Sequence, residues 1–281
     1  MVQIPLCDLY PFPDHPFAVR DDKAMQDTVE SVKQFGVLQP LIVRPNENGF
    51  EIISGHRRKH ACELTGRDSV PAIVRHLDND EAIIYMVDSN IQREDILPSE
   101  KAKAYKMKLE AIKRQGQRTD LTSAQVGQKL NGGQKWSIER VAEEAQESRS
   151  QVQRYIRLNE LSPPLQQMVD EQKIALTPAV EISYLKPEEQ ALLVETIDSE
   201  QATPSLSQAQ RMRKLSQSGD LNEDSILGIM SEQKKPDMNI TLTWDKLSKY
   251  FPRSYTPRKI EETIFKLLEQ WQKKRQRDME R

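Results

Sequence analysis

Within seven residues, the run Ile52-Ile53-Ser54-Gly55-His56-Arg57-Arg58 joins an apolar stretch to a glycine and two adjacent arginines. A glycine at the end of a strand lets the backbone come close to a ligand, and the start of a following helix presents N–H groups to an anion. Cations at that end of a helix oppose its dipole. Arg57 and Arg58 are therefore at odds with the local field unless a polyphosphate fills the space and both grip it. A strand-to-helix turn with two surface arginines is the other reading of the same residues. A second segment, Asp88-Ser89-Asn90-Ile91-Gln92-Arg93-Glu94-Asp95, sets an amide beside a carboxylate. Such oxygens suit Mg²⁺, which keeps several waters and borrows further ligands from phosphate, and Arg93 adds a phosphate contact. The plainer alternative is a charged helix C-terminus running into a loop.

A third constellation lies in residues 138–157. Val141, Ala142 and Ala145 give one helix with a small residue at a crossing point, and Val152, Tyr155 and Ile156 give a second whose apolar face packs on the first. Ser148 is placed to cap the second helix. Ser148, Arg149, Ser150, Gln151 and Gln153 lie near its exposed start, where side chains of these types meet phosphates and base edges in a major groove. Arg154 and Arg157 read as phosphate contacts or solvated charges. The turn carries Gln146 where a glycine is usual, and an ordinary helical hairpin is the competing interpretation. Charge supports DNA: residues 101–157 hold 13 Lys/Arg against 6 Asp/Glu, whereas residues 1–95 hold 10 against 16, inside a chain of net charge −2.

Two other patterns lead nowhere. His56 and His60 have zinc-binding spacing, but Arg57, Arg58 and Lys59 between them repel a metal. Gly132-Gly133-Gln134-Lys135 lacks P-loop spacing and reads as a turn. Two cysteines, Cys7 and Cys62, form neither a disulfide framework nor a zinc site, which favours a reducing cytoplasm. No run approaches the roughly 18 apolar residues of a membrane span, and a mean hydropathy of −0.71 fits a soluble, largely helical protein.

The elements that must position these residues follow from periodicity and punctuation. A helix is expected over residues 21–35, closed by Gly36. Strands are expected at 41–44 and 50–53, joined by a loop over 45–49. A helix follows from Gly55 to Leu64, then a strand at 70–74 that Pro71 assigns to an edge or a strand start, then a helix over 80–90. From Pro98 the chain becomes helical, with Ala102, Tyr105, Leu109 and Ile112 on one face. Residues 116–133 read as a loop with at most one short helix. Short helices over 137–200 are broken at Pro163-Pro164, Pro178 and Pro187. A linker at 198–204, a helix over 205–217, a polar segment at 218–224 and a strand at 240–243 come next. A last helix from Pro257 places Ile260, Ile264, Leu267, Leu268 and Trp271 on one face, suited to a core or a dimer seam.

In combination and order, Phe35-Gly36-Val37-Leu38-Gln39-Pro40, Gly55-His56-Arg57-Arg58 and Asn90-Ile91-Gln92-Arg93-Glu94-Asp95-Ile96-Leu97-Pro98-Ser99-Glu100 resemble the ParB family over roughly residues 5–200. The resemblance implies an α+β protein. A small mixed α/β, ParB/sulfiredoxin-like N-terminal domain would occupy 1–97. An all-helical domain over 98–200 would follow, with its helix-turn-helix at about 137–160. A helix and linker over 201–239 and a small helical or αβ unit over 240–281, suited to dimerisation, would complete the chain. It further implies CTP with Mg²⁺ in the N-terminal domain and closure of a homodimer into a clamp on double-stranded DNA at a specific site. A Walker-type partition ATPase would be the partner, and the location cytoplasmic, on nucleoid or plasmid. By resemblance Gly55, Arg57 and Arg58 hold the triphosphate, with His56 and Arg93 beside them, Asn90 helps with Mg²⁺, and Gln39 lines the pocket.

The chain departs from the family pattern twice: His56 and Ser89 stand where the family usually has glutamates. Both changes remove carboxylates, which touches CTP hydrolysis more than binding, and Asp88 is a candidate substitute. The sulfiredoxin reading lacks a nucleophile, since Gly55 stands at the cysteine's place and Cys62 lies beyond it. Two rival classes share the scaffold: a transcriptional or nucleoid regulator without a segregation role, and a nuclease or nucleotide hydrolase.

Overall fold

The computed structural model describes residues 1–93, 96–122, 133–232, 247, 249–252 and 255–279. Two compact units divide the chain, Met1–Glu232 and Gln233–Arg281.

The first unit opens with a five-stranded sheet of β1 (Val2–Pro5), β2 (Leu9–Pro11), β3 (Leu41–Asn46), β4 (Gly49–Ser54) and β5 (Ser69–Val74), in the order β1-β5-β3-β4-β2. β3 and β4 form an antiparallel hairpin whose register brings Asn46 opposite Gly49, so the turn is Glu47-Asn48 alone; β3 starts where expected and runs two residues further, and β4 is one residue longer at each end. β5 lies parallel to β3 and antiparallel to β1, and β2 parallel to β4. β5 is thus an interior strand, not an edge. Pro71 is tolerated there because β3 begins its pairing at Ala72, which leaves Pro71 opposite Gln3 of β1 in a stretch with one strand neighbour. Neither β1 nor β2 is legible in the sequence, since both are short and each ends in a proline.

Only the 3₁₀ turn Leu6–Asp8 separates β1 from β2, yet they pair at opposite ends of the strand order. Four strand-to-strand steps of about 4.8 Å would hold the ends of a flat sheet near 19 Å apart. A 3₁₀ turn advances only about 2 Å per residue, so the sheet must curl until its two rims approach.

Helix α1 (Lys23–Phe35) begins at Asp22, whose Oδ1 accepts the Met25 N–H at 2.8 Å, and ends at Gly36 with φ 75°. Helix α2 (His56–Leu64) follows β4, and α3 (Asn79–Asn90) begins with a capping box of Asp78 and Glu81. Ile4, Leu41, Val43, Ile52 and Ala72 of the sheet close over Met25 and Val32 of α1 and Ala61 and Cys62 of α2. Cys7 and Cys62 are both free thiols, and burial raises the Cys62 thiol above its ordinary value, so it is no reactive thiolate.

Helix α4 (Pro98–Thr122) is roughly 38 Å long at 1.5 Å per residue. It carries through Gly116 and six further residues where a loop was expected. A helical glycine costs about 1 kcal/mol, and burial of Ala104, Tyr105, Leu109 and Ile112 outweighs it at roughly 1.5–3 kcal/mol per large side chain. The same core takes Ile53 of β4, Met86 and Val87 of α3, Val141 of α5 (Gly133–Ala145) and Val152 of α6 (Arg149–Arg157), so one apolar cluster joins the sheet to the helical region. Gly133 and Lys135 thus belong to a helix rather than a turn.

A separate core unites Leu158, Leu165 of α7 (Pro163–Asp170), Ile182 of α8 (Leu176–Ile182), Leu193 of α9 (Pro187–Glu200), Met212 of α10 (Leu206–Ser218) and Ile226 of α11 (Glu223–Ser231). Pro178 does not break α8 but lies in its first turn, where no N–H is missed. α9 extends two residues past Asp198, and α11 fills a stretch to which the sequence assigned no element.

In the second unit, α12 (Pro257–Met279) buries Ile260 and leaves Phe265, Leu267, Leu268 and Trp271 between 52% and 59% exposed. The strand expected at 240–243 lies outside the described residues. No helix among those described is long and apolar enough to cross a membrane.

Candidate anion-binding site and helix-turn-helix

Where β4 runs into α2, Gly55 takes φ 110°. A Cβ there would stand 2.8 Å from Leu41 Cγ and 3.2 Å from Arg58 Nη2, so any other residue is strained at this position. The turn sets the start of α2, whose first N–H groups have no partner within the helix, at the wall of a space that α1 and α3 also line. That space is a cavity of about 490 Å³ lined by His15, Phe17, Ala18, Val19, Ala24, Thr28, Ser54, Gly55, His56, Arg57, Arg58, Ser89, Asn90 and Arg93.

Each cation is held by the fold. Arg57 Nη2 meets Asp22 Oδ1 at 2.8 Å, which ties the start of α2 to the cap of α1. The Met25 N–H first, and Arg57 and Arg20 behind it, hold the Asp22 carboxyl below its usual range. Arg58 Nη1 donates to the carbonyls of Gln39 at 2.7 Å and Pro40 at 2.8 Å. Gln39 is not among the lining residues; its main chain, not its side chain, serves the site. At the far wall, Asn90 Nδ2 donates to Met86 O at 2.8 Å, and Arg93 Nη1 donates to Asn90 Oδ1 at 3.3 Å. Asp88 is engaged elsewhere, in an ion pair with Lys108, and does not reach the cavity.

Six of the seven nucleotide-site residues expected from sequence thus share one cavity. His60 bonds instead to Asp21 at 3.1 Å and Glu63 at 3.4 Å, and no cluster of three or more His, Cys, Asp or Glu exists among the described residues.

Sequence reasoning missed the segment 12–20, which closes the cavity from the side. Glu100 fixes it: Oε1 accepts from Ala18 N at 3.0 Å and from Arg20, while Oε2 accepts from Leu97 N at 3.1 Å. His15 reaches the lining this way, its ring 4.0 Å from that of His56. Burial, then the neighbouring His15 and Lys59, push His56 down to about 3. Burial also lowers His15, against the Phe17 carbonyl and Glu100, which act the other way. A histidine two residues before an aromatic in a loop carries no signal of its own; only the fold brings it beside His56.

In the helical region, α5 and α6 are joined through Gln146, whose φ of 56° is the left-handed conformation that a glycine would adopt without strain. Ser148 Oγ accepts the Gln151 N–H at 3.2 Å and caps α6. Val141, Ala142 and Val152 are buried between the two helices, while Ser148, Arg149, Ser150, Gln153 and Arg154 are exposed and Gln151 is half-buried. Arg149 lies 3.5 Å from Glu139. Arg157 faces the other way: it donates to Ser183 Oγ at 3.1 Å and Ser183 O at 2.8 Å, and stacks 4.2 Å over the Tyr184 ring, which Arg213 shares from 3.7 Å.

Residues 1–91 match the ParB N-terminal domain, and residues 120–217 match the ParB helix-turn-helix domain. The chain is 36% identical over 176 residues to Stage 0 sporulation protein J of Bacillus subtilis, 62% of this chain and 54% of that one. It is 29% identical over 189 residues to the chromosome-partitioning protein Spo0J of Thermus thermophilus, 67% and 62% of the two chains. It is also 29% identical over 198 residues to the nucleoid occlusion protein of Halalkalibacterium halodurans, 70% and 62%. The chain therefore matches a little over half of each relative's length. With the cavity lining, Arg93 apart, inside the first matched segment and the helix-turn-helix inside the second, in the order of the two domains, the chain belongs to the ParB family.

Proposed function

We propose that the chain is a partition-type DNA-binding protein that takes CTP in the cavity between α1, α2 and α3 and reads a centromere-like site with α6. The convergence of Arg57, Arg58 and Arg93 on one cavity at the N-terminus of α2 carries the nucleotide half of this reading. Three guanidiniums and a row of helix N–H groups suit a triphosphate, and the ParB resemblance points to CTP among the nucleotides. The exposed polar start of α6 carries the DNA half. A homodimer that closes on DNA when the cavity fills, a Walker-type ATPase partner and a place on the nucleoid or a plasmid in the cytoplasm follow from the same resemblance.

Among the described residues, the side chain that the cavity offers to a Mg²⁺ ion is the Asn90 amide. No Asp or Glu is among the described lining residues and Asp88 pairs with Lys108, while Asn90 Oδ1, which accepts from Arg93 at 3.3 Å, keeps a second lone pair. A cation accompanying CTP would take most of its ligands from phosphate and water, with Asn90 Oδ1 as the candidate ligand from this chain. The arginines carry binding, and turnover is no part of the proposal.

Calorimetry of the full chain with CTP, ATP, GTP and UTP tests the nucleotide half. CTP is expected to bind most tightly, and Arg57→Ala to weaken it by roughly ten- to a hundredfold, on the order of 1.5–3 kcal/mol for a charge-assisted bond. Equal CTP affinity in Arg57→Ala would refute the assignment. Loss of plasmid or element retention on deletion of the gene supports partition; retention unchanged with nearby promoters derepressed would replace it with a regulator.

A further inference from the structure

The two imidazoles in the cavity stand in an arrangement that the family resemblance does not supply. His15 lies at the edge of the cavity on the segment that Glu100 fastens, and His56 lies in the first turn of α2. His15 Nδ1 is 2.7 Å from the Phe17 carbonyl. A carbonyl only accepts, so Nδ1 carries the hydrogen, and in the neutral ring Nε2 is a bare lone pair. That Nε2 is buried and has no hydrogen-bond partner, and the same is true of His56 Nε2. An unsatisfied buried nitrogen costs about 1–3 kcal/mol, and here the two belong to rings of residues that line one cavity. A phosphate oxygen beside a bare imidazole nitrogen is repelled. Beside an imidazolium it is bonded.

Rings 4.0 Å apart do not both carry charge readily, so one member of the pair titrates. The surroundings choose His15. Toward it face the Glu100 carboxylate of α4, the Phe17 carbonyl, Arg93 after α3, and His56. Toward His56 face Lys59 of its own helix and His15, while Arg57 and Arg58 add positive charge from the cavity wall and Asp22 is already paired with Arg57. His15 alone has a carboxylate and a carbonyl to support a positive ring.

We propose that His15 is a proton-coupled ligand of the cavity: as a polyphosphate comes to lie against the His15–His56 pair, His15 Nε2 takes up one proton from solvent, keeps it, and donates a hydrogen bond through it to a phosphate oxygen. The imidazole becomes imidazolium, Nδ1–H stays on the Phe17 carbonyl, and His56 remains neutral. The inference rests on the triphosphate reading of the cavity and adds to it a pH dependence and a residue. The sign is fixed by linkage. The proton is absent from the empty site and present in the filled one only between the His15 values of the two states, so across that window affinity rises as pH falls. The limit is about tenfold per pH unit for one proton. Above the filled-state value neither state holds the proton and affinity is flat.

The test is calorimetry of the full chain with CTP at fixed free Mg²⁺, in buffers of different ionisation heat and across about pH 6–8, where histidine titrates. The wild-type count of protons taken up needs no variant. It should approach one, and His15→Gln, checked for folding by its melting curve, should lose most of it and flatten the slope of affinity against pH. Because the triphosphate's own titration is common to both proteins, the difference between them belongs to His15. CTP binding with no proton uptake by the wild type, or with equal uptake by His15→Gln, overturns the role of His15 and leaves the triphosphate site standing. Absence of CTP binding by the wild type at every pH overturns both.

Discussion

Gly55 concentrates several demands in one residue. It turns β4 into α2 at φ 110°, brings the backbone within van der Waals contact of Leu41 and gives the Arg58 guanidinium a place to lie. Gly55→Ala should therefore cost more than about 1 kcal/mol, since both the left-handed conformation and the 2.8 Å approach to Leu41 oppose a methyl group. Urea unfolding measures this, and a loss within experimental error would show that the turn can relax. The glycine and the arginine pair were legible in the sequence because a strand, a glycine and a misplaced pair of cations are a local pattern. Asn90 was legible for the same reason. His15 was not, because its meaning depends on Glu100, 85 residues later, pulling its segment over the cavity. Gln39 was read as a pocket side chain, whereas the structure uses its carbonyl, a group that every residue possesses and no sequence advertises.

Among the elements, α6 sets its arginines in two different surroundings, Arg149 exposed at its start and Arg157 bonded to Ser183. Arg149 and Gln151 stand at the capped start, where a recognition helix meets base edges. Arg149→Ala and Gln151→Ala should each lower specific over nonspecific DNA binding by roughly 1–3 kcal/mol per lost base contact. A uniform loss on all sequences would place them on the phosphate backbone instead. Arg157→Ala should behave differently, lowering the melting temperature more than the specificity, because its guanidinium is committed to Ser183 and Tyr184. Titrations with specific and random duplexes beside a melting curve separate the two. The pairing of α5 with α6 was readable from apolar spacing and the Ser148 cap. The run of α4 past Gly116 was not, because glycine reads locally as a break while the helix is sustained by a tertiary face. α11 shows the opposite failure. Ile226, Ile229 and Met230 follow helical spacing behind an Asn222 cap, yet polar neighbours on both sides masked so short a stretch.

At the scale of the whole first unit, Lys108 is the joint between its halves. Its side chain is 1% exposed and pairs with Asp88 of α3 and, at 2.5 Å, with Glu144 of α5, so one ammonium ties the cavity wall to the helix-turn-helix through α4. Burial pushes Glu144 up, but hydrogen bonds from Lys108 and Arg140 outweigh it and hold the carboxyl below its ordinary range. A depressed carboxyl contributes stability above its unfolded value, near about 4.3, and that contribution is lost as pH falls through the folded value. Lys108→Met should cost about 1–3 kcal/mol at neutral pH, less than a fully buried pair because both acids are partly exposed. It should also weaken the acid dependence of unfolding. Melting curves from neutral pH to about pH 3 check both, and unchanged acid sensitivity would remove Glu144 from the account.

The curl of the sheet has one more effect. Because β1 and β2 lie within the first eleven residues and occupy the two ends of the strand order, a single short ribbon covers both open edges. Shortening the protein from that side would bare two rows of unpaired backbone groups at once. Either row is a template onto which another extended chain can add. A protein trimmed there would be prone to stick to copies of itself before it lost its ability to hold a ligand.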